Sequence, residues 1–413
     1  MTFSFSRSLL AASLGLSLAF SAAHAFAEPH KQVLADAEQY QPEALKLLER
    51  LVNIDSGSGY EPGLKQVSDI AIDELKKLGA TIELVPNTPE KSNHVLATLK
   101  GTGKAKILLM AHMDTVFKEG SAAERPFHIK DGRAYGPGVM DDKGGIVAGI
   151  YALKILKNLD FKDYAQITFL LDASEETGSD VATDLIKKTA KQHDVTLNLE
   201  PGRPADGLVV WRKGSATALV EVKGKAAHAG VAPELGRNAA MEAAHQILQL
   251  GKLGDEAKKT TINFTVLKAG DRTNVIPDQA TAKADVRAAV PEEFDRIEKD
   301  LARVSQDKLI AETEVKTSLQ RGLPPMPQTP ESDRLMAMAQ GIYGEIGRKL
   351  TEEGSGGAAD ASLSAGVGTP TLDGFGIVGG NIHTPEEYAE VASVAPRIYL
   401  LSRMIMELAT KPR

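Results

Sequence analysis

Five side chains able to ligand a divalent cation are spread along this 413-residue chain: His112, Asp141, Glu176, Glu200 and His383. His112 ends the apolar run Leu108-Leu109-Met110-Ala111, and Asp114 follows two residues later, a spacing at which a carboxylate can orient a ligating imidazole. Asp141 lies in a glycine-rich stretch, 136–145, that permits tight turns before a helix. Glu175 and Glu176 follow the β-rich run 168–171 through Asp172-Ala173-Ser174, and Glu200 ends Leu197-Asn198-Leu199 just before Pro201. His383 sits between Gly379-Gly380 and Pro385. Two imidazoles and three carboxylates suffice for two divalent ions that share one carboxylate, with the ions ~3.5–4 Å apart. Glu175 and Glu176, adjacent in a turn, can point differently, so that one ligates a metal while the other exchanges a proton.

Taken singly, each position also has a plain structural reading. A histidine after an apolar run is commonly packed in a core, and a Glu-Glu pair is commonly solvated. Asp141-Asp142 can cap the helix that starts at Gly144. His383 can be an ordinary loop residue. The metal reading is preferred because all five positions fall at one edge of the sheet that the elements below imply. With no cysteine in the chain, thiol catalysis and thiolate ligation are excluded. Any transition ion must then be held by His, Asp and Glu, which favours Zn2+, with Co2+ or Mn2+ as substitutes. No G-x-S-x-G elbow is present for a serine hydrolase.

The elements that must position these residues follow from periodicity. Helical spacing runs over 41–52, 64–78 and 144–156, and extended segments over 81–85, 94–99, 106–112, 166–171 and 195–199. Strands alternating with helices predict a mostly parallel α/β sheet flanked by helices, whose ligands sit beyond the carboxyl ends of the strands. The pattern changes near Gly214. A strand (216–222), a helix (238–250), two strands (261–268 and 279–288), a helix (291–304) and a strand (314–319) make the β-α-β-β-α-β order of a ferredoxin-like α+β unit. Pro324, Pro325, Pro327 and Pro330 mark the exit, and the helical run 331–343 rejoins the first domain. The expected organisation is a leader at 1–27, a catalytic domain built from 28–213 and 324–413, and an insert at 214–323. Within the insert, His228 lies among small residues (224–230) that let a ligand approach. Asn274 can donate a hydrogen bond to substrate. Arg287 can pair with a substrate carboxylate or with a local acid.

A net charge of −7 argues against nucleic acid as partner, because phosphate binding needs a basic surface. Arg7, the apolar run 9–20 and small residues up to Ala25 and Ala27 read as a secretory leader cleaved after either alanine. That implies export to a periplasm or beyond, with no membrane attachment after cleavage.

The segments 110–116, 136–145, 174–178, 199–201, 224–230, 274–277 and 383–385 together resemble the exported glutamate carboxypeptidases of the carboxypeptidase G type. That group lies within the wider superfamily of two-zinc exopeptidases and deacylases, with aminoacylase, acetylornithine deacetylase and succinyl-diaminopimelate desuccinylase. The resemblance spans the mature chain. It implies two Zn2+ per subunit, with His112 and Glu200 on one ion, Glu176 and His383 on the other, and Asp141 bridging. It further implies that Asp114 orients His112 and that Glu175 is the general base and acid. His228 would reach across a homodimer interface to the oxyanion, making the insert a lid and dimerisation domain. Asn274, Arg287 and the 354–357 loop, including Gly356 and Gly357, would hold the substrate carboxylate. One departure is visible: Ala359 precedes Asp360 where relatives often carry Ser or Thr. The implied reaction is amide hydrolysis releasing a C-terminal amino acid, glutamate foremost, from N-acyl or peptidyl substrates, folate-like ones included. The alternatives are an N-acyl-amino-acid amidohydrolase or dipeptidase without glutamate preference and, from a different class, a non-catalytic peptide or metal binder.

Overall fold

The computed structural model describes residues 28–88 and 92–410; the leader reading lies outside them. The apolar run ending at His112 forms the strand Lys106–His112, buried on both faces. Ile107, Leu109 and Ala111 face one helical layer, while Leu108 and Met110 face another. Burial on both sides is why the run is continuously apolar and not alternating. This strand lies inside a six-stranded sheet ordered Thr81–Asn87, Ser92–Lys100, Gln166–Asp172, Lys106–His112, Val195–Asn198, Thr371–Leu372. The last four are mutually parallel, and Ser92–Lys100 runs antiparallel to both neighbours. The sheet is therefore mostly parallel and flanked by helices.

The helices Lys31–Val52, Lys143–Asn158 and Val394–Thr410 build the layer on one face, and Thr183–Lys191 with Ala361–Ala365 covers the other. The first helix starts ten residues before the 41–52 expected from periodicity, and Pro42 sits inside it. Proline reads as a helix start in sequence. Here Val33, Ala37, Ala44, Leu48 and Leu51 keep a buried stripe running through it, and that packing outweighs the missing N–H.

Residues 214–321 form a separate antiparallel sheet ordered Thr261–Ala269, Gln279–Ala288, Gly214–Lys223, Glu314–Arg321. Its helices Ala239–Leu250 and Pro291–Val304 cover one face around Val220, Ala282, Val286, Phe294 and Ile297. Among the described residues, no helix is long and apolar enough to cross a membrane.

Candidate metal centre

Parallel strands end together, so their carboxyl ends deliver side chains to one place. His112 ends its strand opposite Asp172, and Leu199-Glu200 follows the adjacent Val195–Asn198. Glu175 and Glu176 form a short 3-10 turn three residues beyond Asp172. Asp141 arrives from the loop before Lys143–Asn158, and His383 from the turn after Gly379-Gly380. His383 adopts φ 63°, a left-handed conformation unusual outside glycine and a form of strain that concentrates at functional sites.

The structure brings all five together as two trios that share Asp141. One holds His112, Asp141 and Glu200, the other Asp141, Glu176 and His383, and within each trio a ligand atom of every residue lies within 4.8 Å of the others. His112 Nε2 is 3.0 Å from Asp141 Oδ1 and 3.6 Å from Glu200 Oε1. His383 Nε2 is 3.2 Å from both Asp141 Oδ2 and Glu176 Oε2. Asp114 is fully buried and its carboxylate is held from several sides. One of its oxygens is 3.3 Å from His112 Nδ1, and its carboxylate accepts the Glu175 and Glu176 backbone N–H groups at 3.1 Å each. It therefore fixes both the imidazole and the turn that carries the glutamates. Ser58 Oγ donates to the same carboxylate at 2.7 Å.

The electrostatics are those of anions crowded without enough cations. Burial, followed by the nearby Glu200, pushes the Glu175 carboxyl well above the usual range. Burial and the charge of Asp141 push Glu200 up to about 7 against the pull of Arg212. Burial disfavours a charged His112, yet hydrogen bonds to Asp114 and Asp141 raise it well above the ordinary imidazole value. Hydrogen bonds to Asp141 and Glu176 lift His383 to about 10. Burial likewise opposes ionisation of Asp141, but its hydrogen bonds to the two imidazoles hold it below the ordinary carboxylate range. Glu176 Oε1 is buried with no hydrogen-bond partner. An orphaned carboxylate oxygen inside a nitrogen and oxygen donor set is what divalent cations satisfy, so these residues fit a pair of such ions.

Asp142 stands at the helix-cap position but makes no capping bond, contrary to the plain reading of Asp141-Asp142. Its Oδ2 accepts the His112 backbone N–H at 3.3 Å, and the Asp141-Asp142 peptide is cis. Two further residues carry structure here that sequence reasoning passed over. Arg212 is buried and bridges Glu200 Oε2 at 3.4 Å, Asp373, and the Gly357 carbonyl at 3.3 Å. Glu387 accepts N–H bonds from Gly138, Met140 and Asp141 at 3.1, 2.9 and 3.1 Å, fixing the loop that presents Asp141. Only their positions flanking the motifs (Trp211-Arg212-Lys213 before Gly214, and Glu386-Glu387 after Pro385) hinted at them.

The residues of the insert do not join this group within one chain. His228 is exposed, and its Nδ1 accepts from its own loop, Gly230 and Val231 at 3.2 and 3.1 Å. Arg287 is paired with Asp285 at 3.0 Å, the local-acid alternative. Asn274 accepts the Ala229 N–H through its carbonyl, which ties it to the His228 loop. Gly356 and Gly357 lie in an exposed loop that Arg212 anchors. A cleft of about 460 Å³ opens beside Glu176, lined by Gly57, Ser58, Tyr60, Phe117 and Thr177 among others.

Comparison with known proteins agrees with this geometry. The sequence pattern of peptidase family M20/M25/M40 matches residues 108–407. Carboxypeptidase G2 of Pseudomonas sp. (strain RS-16) is 38% identical over 403 residues, 95% of this chain and 96% of the relative. Acetylornithine deacetylase of Proteus mirabilis is 26% identical over 88% of this chain and 96% of its own length. Among solved structures, aminopeptidase PepT from Bacillus cereus superposes with a TM-score of 0.77 at 25% identity, covering 90% of this chain and 99% of that one. An M20 family metallo-carboxypeptidase from Sulfolobus solfataricus shares the fold, with a TM-score of 0.68 at 18% identity over 89% of this chain and 100% of that one.

Proposed function

The chain belongs to peptidase family M20/M25/M40, a family of metal-dependent hydrolases, and from that premise we propose an exported, homodimeric two-zinc carboxypeptidase that releases C-terminal glutamate from N-acyl and peptidyl substrates. The observation that carries the reading is the pair of trios sharing Asp141 with Glu175 beside them. His112, Glu200 and Asp141 would hold one ion, and Glu176, His383 and Asp141 the other. Once bound, such a pair polarises the scissile carbonyl and acidifies water, so that attack proceeds at neutral pH.

The remaining steps belong to the chain's own residues. Glu175, whose burial beside Glu200 makes its carboxylate unusually basic, takes a proton from the attacking water and returns it to the leaving amine. Asp114 keeps His112 and the Glu175-Glu176 turn in register throughout. His228, exposed at the tip of the insert, supplies a donor to the oxyanion of a second copy's site. Arg287 leaves Asp285 to take the substrate carboxylate, with Asn274 and the backbone of Gly356 and Gly357 completing that contact. Residues 1–27 direct the chain to the periplasm or outside the cell, and closure of the insert completes the site.

The Arg287–Asp285 pair also suits a hydrolase indifferent to the released side chain, since Arg287 reads any α-carboxylate. A panel of N-acyl amino acids that varies the released residue separates the two readings. Glutamate favoured at least about tenfold in kcat/KM supports the first, one hydrogen-bonded charge being worth about that much. Equal values across the panel support an amidohydrolase without preference.

A further inference from the structure

Where the catalytic domain passes into the insert, a cleft of about 740 Å³ is lined by Trp211, Lys213, Asp255, Lys259, Thr261 and Asn263. Its two walls come from different domains: Trp211 from the strand Leu208–Arg212 and Lys213 just after it, the others from the insert. The indole packs across the strand Glu352–Ser355, which pairs in parallel with its own, because a Cβ at Gly354 would lie 1.8 Å from Trp211 Cε2. On the opposite wall Lys259 holds its ammonium 3.9 Å from the Trp211 ring centroid. It does so from a left-handed backbone, φ 55°, a conformation that costs energy for a residue with a side chain. Thr261, Arg287 and Ser215 are direct cross-strand partners, so Arg287 stands on the same sheet face as Thr261 at the edge of the cleft.

Lys213 and Lys259 therefore face this junction together with Asp255 and Glu256, and Arg287, paired with Asp285 at 3.0 Å, stands at its rim. Among the described residues neither Lys213 nor Lys259 has an ion pair with a carboxylate, while Asp255 is engaged by Lys258 at 3.7 Å. Burial, then the charges of Lys259 and Arg287, draws the Lys213 amine below the usual lysine range. Like charges gathered across a domain boundary repel unless something negative sits between them.

We propose that this cleft is an anion site: a small dianionic oxyanion binds between Lys213 and Lys259, with Arg287 at its rim, and ties the insert to the catalytic domain. A free sulfate- or phosphate-like ion and the carboxylates of a bound substrate both offer this chemistry. Trp211 is the only tryptophan of the chain, so its emission reports the cleft directly. The test is a sulfate titration of the metal-loaded protein at constant ionic strength, balanced with chloride and followed by tryptophan fluorescence. The site predicts a saturable change, with Kd raised at least about tenfold in Lys213→Gln and unchanged in Lys316→Gln, a lysine on the far end of the insert sheet. No saturable change, or a Kd unaffected by Lys213→Gln, overturns it. Repeating the titration on Glu175→Ala with N-acetylglutamate assigns the source. Displacement of sulfate means that the substrate's carboxylates occupy the cleft, and an unchanged Kd means that a free ion does. Only this last arm rests on the proposed activity; the sulfate arm stands or falls without it.

Discussion

At the residue scale the decisive division is between Glu175 and Glu176. Neighbours in sequence, they are separated in space because a short turn, held by Asp114, sends the Glu176 carboxylate to His383 and leaves the Glu175 carboxylate under the charge of Glu200. Glu175→Gln keeps the shape and removes the basic carboxylate. It is expected to lower kcat by about 10²–10⁴-fold, the range of a general acid–base contribution, while elemental analysis finds metal still bound. Near-normal turnover would contradict the assignment. A pH prediction follows from Glu200, whose folded value of about 7 lies above its ordinary 4.5. A raised carboxyl favours the protonated folded state, so its contribution is fully present below pH 4.5 and is lost as pH rises through 7. The metal-stripped protein is therefore expected to lose thermal stability over that window relative to its Glu200→Gln variant. Parallel unfolding curves for the two would show that Glu200 is not held protonated.

At the element scale the site is a consequence of parallel strands that stop together. Lys106–His112 was legible from sequence to the residue because burial on both faces makes it continuously apolar. The β-α-β-β-α-β order of the insert was legible too, since the amphipathic helix Pro291–Val304 and the alternating strand Gly214–Lys223 carry clean periods. The start of the first helix was not, because Pro42 imitates a beginning and only packing against later helices reveals otherwise. Arg212 and Glu387 were illegible for a related reason. Their partners, Asp373 and the 138–141 loop, lie 161 and about 250 residues away, and no local pattern encodes such pairings. Their importance can be measured. Glu387→Ala leaves three backbone N–H groups of the Asp141 loop without their acceptor, and a loss on the order of 3 kcal/mol is expected in chemical denaturation, together with weaker metal binding. A stability change below about 0.5 kcal/mol would mean that water replaces the carboxylate without cost. Gly145→Ala probes the same region from the helix side. Its Cβ would fall 2.2 Å from the Leu199 carbonyl, forcing the helix start away from the strand that carries Glu200.

At the scale of the whole molecule, a single chain gathers the proposed metal ligands and the proposed base but leaves His228 exposed on its own loop. If a second copy's His228 completes each site, two inactive variants should rescue one another. Mixing Glu175→Ala with His228→Ala under subunit exchange is expected to restore about a quarter of wild-type activity, because half of the mixed dimers' sites would be intact. No recovery, despite mixed dimers seen by native mass spectrometry, would mean that His228 does not act across the dimer interface.

The proposed two-metal centre is tested most directly by stripping the protein with a chelator and titrating Zn2+ back while following hydrolysis of an N-acylglutamate. The shared Asp141 and its two flanking trios predict no activity in the stripped protein and recovery that saturates at two equivalents per chain. Full activity without metal, or saturation at one equivalent with no further gain, would contradict it.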